Sequence, residues 1–273
     1  MKKLAGKEHW DSIYVGMNDA AGTQSYFGRL KRTVKHLTRD YSNYYIWEVV
    51  CKKFLPVNPD YKIMEIGCAP GKYLIQFNRT FGYQPFGVEY SEKGTEIARE
   101  NFKKAQLDPG HILQADFFDP AFQESSKNSY DVVFSRGFIE HFDDVRNVIA
   151  SHANLLKSGG YAVIMIPNLS GLNGFLARFL NKKTYDLHNV SIMHKDVFSK
   201  LFSDNGFTFL YSDYAGVFSF GLFNTDRRWK YVLYRIALII QRPFDFLLRI
   251  LSLGGALKNS VTSPYLLFIG RKP

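Results

Sequence analysis

IMEIGCAPGKY, residues Ile63 to Tyr73, decides how this chain is read. An apolar pair, an acidic residue, a glycine-rich turn and a helix-compatible run follow one another, the order in which a parallel strand hands over to a helix. Turns of this kind bind anionic or nucleoside-like groups. The spacing narrows the ligand. Gly67, Ala69 and Gly71 fall at every second position and Lys72 stands where a dinucleotide-binding turn needs its last glycine. The Lys-Ser/Thr pair of a nucleoside-triphosphate loop is missing as well.

From Lys62 onward, short apolar runs alternate with longer helix-compatible ones, the pattern of a parallel sheet covered on both faces. Strands are expected at Lys62 to Ile66, Gln84 to Glu89, Ile112 to Ala115, Asp131 to Ser135, Tyr161 to Ile166, Phe207 to Ser212 and Tyr265 to Ile269. Helices are expected at Lys72 to Phe81, Lys93 to Ala105, Val145 to Leu156 and Lys195 to Asn205. Lys157 to Gly160, KSGG, should stop a helix and turn into the next strand. Residues 1–61 form an N-terminal helical cover, with Tyr41 to Leu55 an amphipathic helix ending before Pro56. Two stretches, Asn168 to His194 and Phe218 to Thr262, fit the alternation poorly.

EIGCAPG, then GVEYS and ADFFD, resembles the class I S-adenosylmethionine-dependent methyltransferases over roughly residues 60 to 215. The resemblance implies an α/β fold: a doubly wound, mostly parallel seven-stranded sheet with an antiparallel last strand, spanning residues 62–273. It implies S-adenosylmethionine as cofactor, approached by the backbone of Gly67, Cys68, Ala69 and Gly71. Glu89, 18 residues after Gly71, would hold the ribose hydroxyls. A carboxylate suits that task, since it accepts two hydrogen bonds from a vicinal diol. Asp116 and Phe117 would contact the adenine, and Glu65 would orient the turn or meet the cofactor's ammonium group. Tyr90, Ser135 and Arg136 complete the expected cofactor-binding set. Cys68 has no activating base in view and reads as filler rather than nucleophile.

Asp131 to Asp144, DVVFSRGFIEHFDD, covers the fourth strand and the loop that faces the reactive sulfonium in this family. His141 is the expected base, its ordinary pKa near 6.5 suiting proton transfer around neutrality; an imidazole that only packs beneath the cofactor is the other reading. Glu140 and His141 also resemble the EH pair of ubiquinone-pathway O-methyltransferases, in which an earlier glutamate helps bind a divalent cation. Arg136 takes that place here, so no metal is expected. The D/N-P-P-Y/F motif of base-amine methyltransferases is replaced by SRGF. Residues 168–194 stand where related enzymes build an acceptor lid; Tyr185, Asp186, His188 and His194 are acceptor-contact candidates there, with His188 also a candidate catalytic group.

Residues 218–262 form a basic insertion before the last strand. Arg228, Arg235, Arg242 and Arg249 recur every seven residues beside an apolar face with Trp229, Leu233, Leu238 and Phe246, drifting by roughly 20° per heptad. Pro243 should kink or divide the helix. Its arginines interrupt any membrane span, so residues 227–253 read as an interfacial helix against lipid or, alternatively, as a subunit contact. Thirty-five Lys plus Arg against 25 Asp plus Glu leave +10, which favours anionic partners. No RNA-binding module is recognisable, so nucleic acid is not an expected partner. Two cysteines without companions exclude a disulfide framework. The basic N-terminal MKKLAGKEHWDS lacks the apolar run of an export signal. A cytoplasmic enzyme, peripheral on the inner face of a membrane, is therefore expected. It would methylate a hydroxyl on a small or lipid-linked acceptor such as a quinone precursor, glycolipid or surface-polysaccharide intermediate. An RNA methyltransferase, or a non-catalytic membrane-attached protein with a relic pocket, are the alternatives.

Overall fold

The computed structural model describes residues 2–15, 40–225, 227–251 and 254–273. Seven strands form one sheet: β1 (Lys62–Ile66), β2 (Gln84–Glu89), β3 (Ile112–Gln114), β4 (Tyr130–Arg136), β5 (Leu156–Pro167), β6 (Thr208–Ala215) and β7 (Tyr265–Arg271). Their order is β3-β2-β1-β4-β5-β7-β6. Strands β1 to β5 pair in parallel, and β7 runs antiparallel to both β5 and β6. Chain order reverses between β1 and β4, where open α/β sheets leave a crevice at the strand ends.

Both faces of the sheet are buried, so its strands read as apolar runs rather than alternating ones. The pleat still sorts them: Ile63, Val132 and Phe134 face one core with Trp47, Leu74 and Phe77, while Met64, Val133 and Ile164 face the other with Ile149, Phe198 and Phe202. On one face lies α1 (Lys7–Val15), packed on a later helix. The next helical stretch among the described residues, α2, is α-helical over Tyr41–Tyr44, π-helical over Tyr45–Cys51 and α-helical again over Lys52–Phe54. Part of the expected N-terminal cover, residues 16–39, lies outside the described residues.

After β1 the chain enters α3 (Lys72–Phe81) through two glycines at positive φ, Gly67 at 67° and Gly71 at 85°. Any other residue is strained there. Leu74, Phe77 and Phe81 of α3 are fully buried, each contributing roughly 1.5–3 kcal/mol of burial. Helix α4 (Glu92–Lys104) starts at Ser91, whose hydroxyl accepts from the Gly94 N–H. Helices α6 (Val145–Leu155) and α8 (Lys195–Ser203) stand where helices are expected, while short α5 (Pro120–Ser125), before α6, and α7 (Gly171–Tyr185), between α6 and α8, are additions to the expected set.

Three expectations change. Lys157 to Gly160 is not a turn: β5 begins at Leu156, its register with β4 shifts between Tyr130 and Val132, and Gly159 at φ 74° absorbs the extra residues as a bulge. The stretch from Asn168 is not a patternless loop but contains the 15-residue α7, interrupted at Asn181. The basic insertion forms α9 (Arg228–Leu251), which Pro243 does not divide.

Gly87 on β2 leaves room for the first turn: a Cβ there would fall 2.6 Å from the Cys68 sulfur and 2.9 Å from Leu74. Gly87→Ala is expected to cost about 1–3 kcal/mol through overpacking, read as a lower urea midpoint at unchanged slope; an unshifted midpoint would mean that the turn is not tightly seated.

Candidate active site

A cleft opens at the C-terminal ends of β1 to β4. Gly67 and Ala69 form its floor, Glu89 and Tyr90 follow β2, Asp116 and Phe117 follow β3, and Arg136 to Phe138 follow β4. Lys3, Trp10 and Tyr14 wall it from the N-terminal side. Glu89 is buried, and its two oxygens accept from the Ala69 N–H at 3.1 Å and the Ser91 N–H at 2.9 Å. Burial pushes its carboxyl up, and those backbone donors pull it partly back. Each carboxylate oxygen retains a second lone pair, so a diol can still be held.

Asp116 is engaged from two sides. Its Oδ2 lies 2.6 Å from Lys3 Nζ and its Oδ1 accepts from the Phe118 N–H at 3.1 Å. Phe117 meets Phe138 edge to face at 5.6 Å. Small turn residues, a buried carboxylate and flat rings fit the methionine, ribose and adenine parts of S-adenosylmethionine in that order along the cleft.

Four of the sequence-predicted residues stand behind this lining. Glu65 is buried in β1, where burial pushes its carboxyl well up against the opposing pull of Lys72 and Arg136, and it accepts from the Leu74 N–H at the start of α3. The Cys68 thiol is buried over Gly87. Gly71 caps α3. Ser135 bonds His152 Nε2 at 3.0 Å.

A second cleft meets the first, sharing Trp10, Ala69, Arg136, Gly137 and His141 with it. Lys72, Tyr73, Glu140, His188 and residues Asn181, Thr184 and Tyr185 of α7 complete much of its wall. Arg136 lies between two rings, 4.7 Å from the centre of Tyr73 and 4.8 Å from that of Tyr265, and donates to the Tyr265 hydroxyl at 2.8 Å. His141 and His188 approach to 4.6 Å between ring centres. His141 Nδ1 sits 2.9 Å from the Leu187 carbonyl and His188 Nδ1 sits 2.8 Å from that of Thr184. A carbonyl only accepts, so each Nδ1 carries the proton and each Nε2 a lone pair. Burial holds both imidazoles below their ordinary range, His141 at about 3. Beside them Glu140 is fully buried, neither carboxyl oxygen has a partner, and burial pushes it up to about 8.

Glu140, His141 and His188 have ligand atoms within 4.8 Å of one another, so the three could hold a divalent cation or act on a proton. Spacing along the chain could not show the third group, because His188 arrives from the segment after α7. Asp186 instead pairs with Lys182 at 2.5 Å, and His194 caps α8; neither lines the cleft. Sequence reasoning passed over Lys3, Trp10 and Tyr14, since nothing in the first 15 residues carries strand or turn patterning.

A family model described as a methyltransferase domain matches residues 38–212. The chain belongs to that family and has the class I methyltransferase fold, with a cleft that fits S-adenosylmethionine. It is 27% identical over 123 residues to 27-O-demethylrifamycin SV methyltransferase of Amycolatopsis mediterranei, covering 43% of this chain and 44% of that one. It is 24% identical over 158 residues to O-methyltransferase cnsE of Penicillium expansum, covering 58% and 56%. The chain spans about half the length of these curated relatives. Among solved structures, geranyl diphosphate C-methyltransferase of Streptomyces coelicolor, in complex with Mg2+, geranyl diphosphate and S-adenosyl-L-homocysteine, shares the fold. Its TM-score is 0.57 at 15% identity, over 94% of this chain and 89% of that one.

Glu89→Ala removes charged acceptors from the ribose position and the anchor of Ala69 at once. Calorimetry is expected to show S-adenosylmethionine affinity falling roughly 10- to 100-fold, and unchanged affinity would move the ribose elsewhere. His152, behind the cleft, sets an acid limit. Burial pushes it down to about 4, whereas an unfolded imidazole takes its proton near 6.5. Between those values the unfolded chain binds more protons. Its contribution is therefore complete above about pH 6.5, falls as pH drops and is exhausted near pH 4, a loss of about 3 kcal/mol. Unfolding free energies of the wild type and His152→Asn across that window should differ in slope by this share; parallel curves would show that His152 titrates normally.

Proposed function

We propose that this chain transfers a methyl group from S-adenosylmethionine to a hydroxyl of a small or lipid-linked acceptor. The meeting of two clefts at His141 carries the proposal: one fits the cofactor, and the other brings the buried His141, the half-buried His188 and the buried Glu140 carboxyl to the same wall. S-adenosylmethionine held by Gly67, Ala69 and Glu89 would supply an electrophilic methyl carbon on a sulfonium, the electron pair of the broken C–S bond staying on sulfur while the acceptor oxygen provides the pair of the new C–O bond. This chain's part is to hold the acceptor in line and to take its proton. The lone pairs on Nε2 of His141 and His188 are the acceptors for that proton. Glu140 Oε1 lies 4.0 Å from His141 Nε2; because burial pushes its carboxyl up to about 8, it stands beside the imidazole in its neutral form near neutrality. Arg136 and Lys72 make the acceptor wall positive, which suits a hydroxylated molecule that also carries phosphate or carboxylate. Two of the relatives, 27-O-demethylrifamycin SV methyltransferase and O-methyltransferase cnsE, carry oxygen in their names and support oxygen as the receiving atom, while phosphoethanolamine N-methyltransferase 1 of Triticum aestivum is named for nitrogen.

The test is release of S-adenosylhomocysteine with a panel of hydroxylated acceptors, in the presence and absence of a chelator. His141→Ala is expected to lower kcat roughly 10²- to 10⁴-fold. His188→Ala, which lines only the acceptor cleft, is expected to lower kcat with cofactor affinity unchanged. Near-normal kcat in both variants would remove the histidines from the reaction. Activity lost to the chelator and restored by a divalent cation would reassign the cluster from proton transfer to cation binding.

A further inference from the structure

Helix α9 is turned inside out. Its buried side chains are Lys230, Gln241, Asp245 and Leu248, three of the four polar. Their inward orientation is built in by bonds: Lys230 Nζ donates to the Phe179 carbonyl, Gln241 Oε1 accepts from the Phe220 N–H at 2.6 Å, and Gln241 Nε2 donates to Asp245 at 3.0 Å. The opposite side is apolar and open, with Val232, Ile236, Ile239, Ile240, Leu247 and Ile250 each about half exposed or more. At 3.6 residues per turn, these side chains share the face turned away from Gln241, and Arg228, Arg235 and Arg242 run along one edge of it. The face is about 36 Å long.

It does not stop at α9. Phe175 and Phe179 of α7 are exposed as well, and Phe179 meets Trp229 edge to face at 6.3 Å. The two helices therefore present one apolar surface, while the other side of α7 lines the acceptor cleft through Asn181, Thr184 and Tyr185. Charge identifies the occupant. Three Lys or Arg on α7 and five on α9, of which Lys230 is buried, stand against the buried Asp245 and against Asp186, which caps α7 and pairs with Lys182. A second copy of this face would bring arginines with no acid to meet them, whereas anionic lipid headgroups supply a negative layer above an apolar one. Among the described residues no helix is long and apolar enough to cross a membrane, so the fit is to one leaflet.

We propose that the joint face of α7 and α9 docks on an anionic membrane surface, apolar side chains among the acyl chains and arginines at the phosphates, with the acceptor cleft opening beside the lipid. The docking stands on the exposed face alone; delivery of an acceptor from the membrane rests also on the proposed reaction.

Co-sedimentation of the full chain with vesicles of phosphatidylcholine, alone or mixed with phosphatidylglycerol, tests it, with molar mass in solution measured by light scattering. Expected is binding to the mixed vesicles at least roughly tenfold above the neutral ones, weakened roughly tenfold or more by Arg235→Ala with Arg242→Ala, and abolished by Ile236→Glu with Ile240→Glu. Both double variants should keep wild-type S-adenosylmethionine affinity, which reports an intact fold. No binding to either vesicle, or equal binding to both, would overturn the proposal. So would a wild-type dimer that the glutamate variant splits, with no vesicle binding; the face would then join two copies. Methyl transfer to a soluble acceptor without vesicle binding would remove the docking and leave the reaction; the reverse would leave the docking alone.

Discussion

Glu89 ties together two turns that the sheet by itself would leave apart. Its carboxylate takes the N–H of Ala69 from the turn after β1 and that of Ser91 from the turn after β2. Ser91 in turn caps α4, and α4 closes against Gly71, where a Cβ would lie 3.2 Å from the Phe102 ring. The floor of the cofactor cleft, its ribose position and the start of two helices are thus fixed by one buried anion. Burying it costs free energy that only its hydrogen bonds offset. Where a cofactor adds further donors, that offset grows, so ligand and fold stabilise each other at the same atoms.

The strands and helices around this centre were legible because their burial is conventional. β1, β2 and α3 occupy the spans their patterning predicts, and the glycine turn announces itself through residue types that positive φ requires. The two insertions were not legible, for one physical reason. α7 docks through Asn173, whose amide donates to the Ser263 carbonyl at 2.9 Å, and α9 docks through Lys230, Gln241 and Asp245. A periodicity reading assigns apolar residues to the core, and here it would place the wrong side inward. The regular arginines of α9 and the apolar face beside them were readable, but the polar side chains that seat the helix were not.

The site divides the same way. Glu89, Asp116, Phe117 and His141 follow from their positions at strand ends, since the fold brings those ends together. His188 reaches His141 from beyond the kink of α7 at Asn181, and the clamp of Tyr73 and Tyr265 on Arg136 joins the first and last thirds of the chain. No local pattern encodes a contact between residues 129 apart.

The N-terminal segment that walls the cofactor cleft is also bonded to the loop after β4. Lys3 bridges Phe142, the Leu4 N–H donates to the His141 carbonyl at 2.8 Å, and Lys2 donates to Asp143 at 2.8 Å. Lys3 meanwhile reaches Asp116 at the far end of the same cleft. The roof over the spent cofactor and the main chain of the residue assigned to the acceptor's proton are therefore one mechanical unit. Any lifting of that roof would break the Leu4–His141 and Lys2–Asp143 bonds, so a disturbance on the cofactor side would be felt on the acceptor side in the same motion.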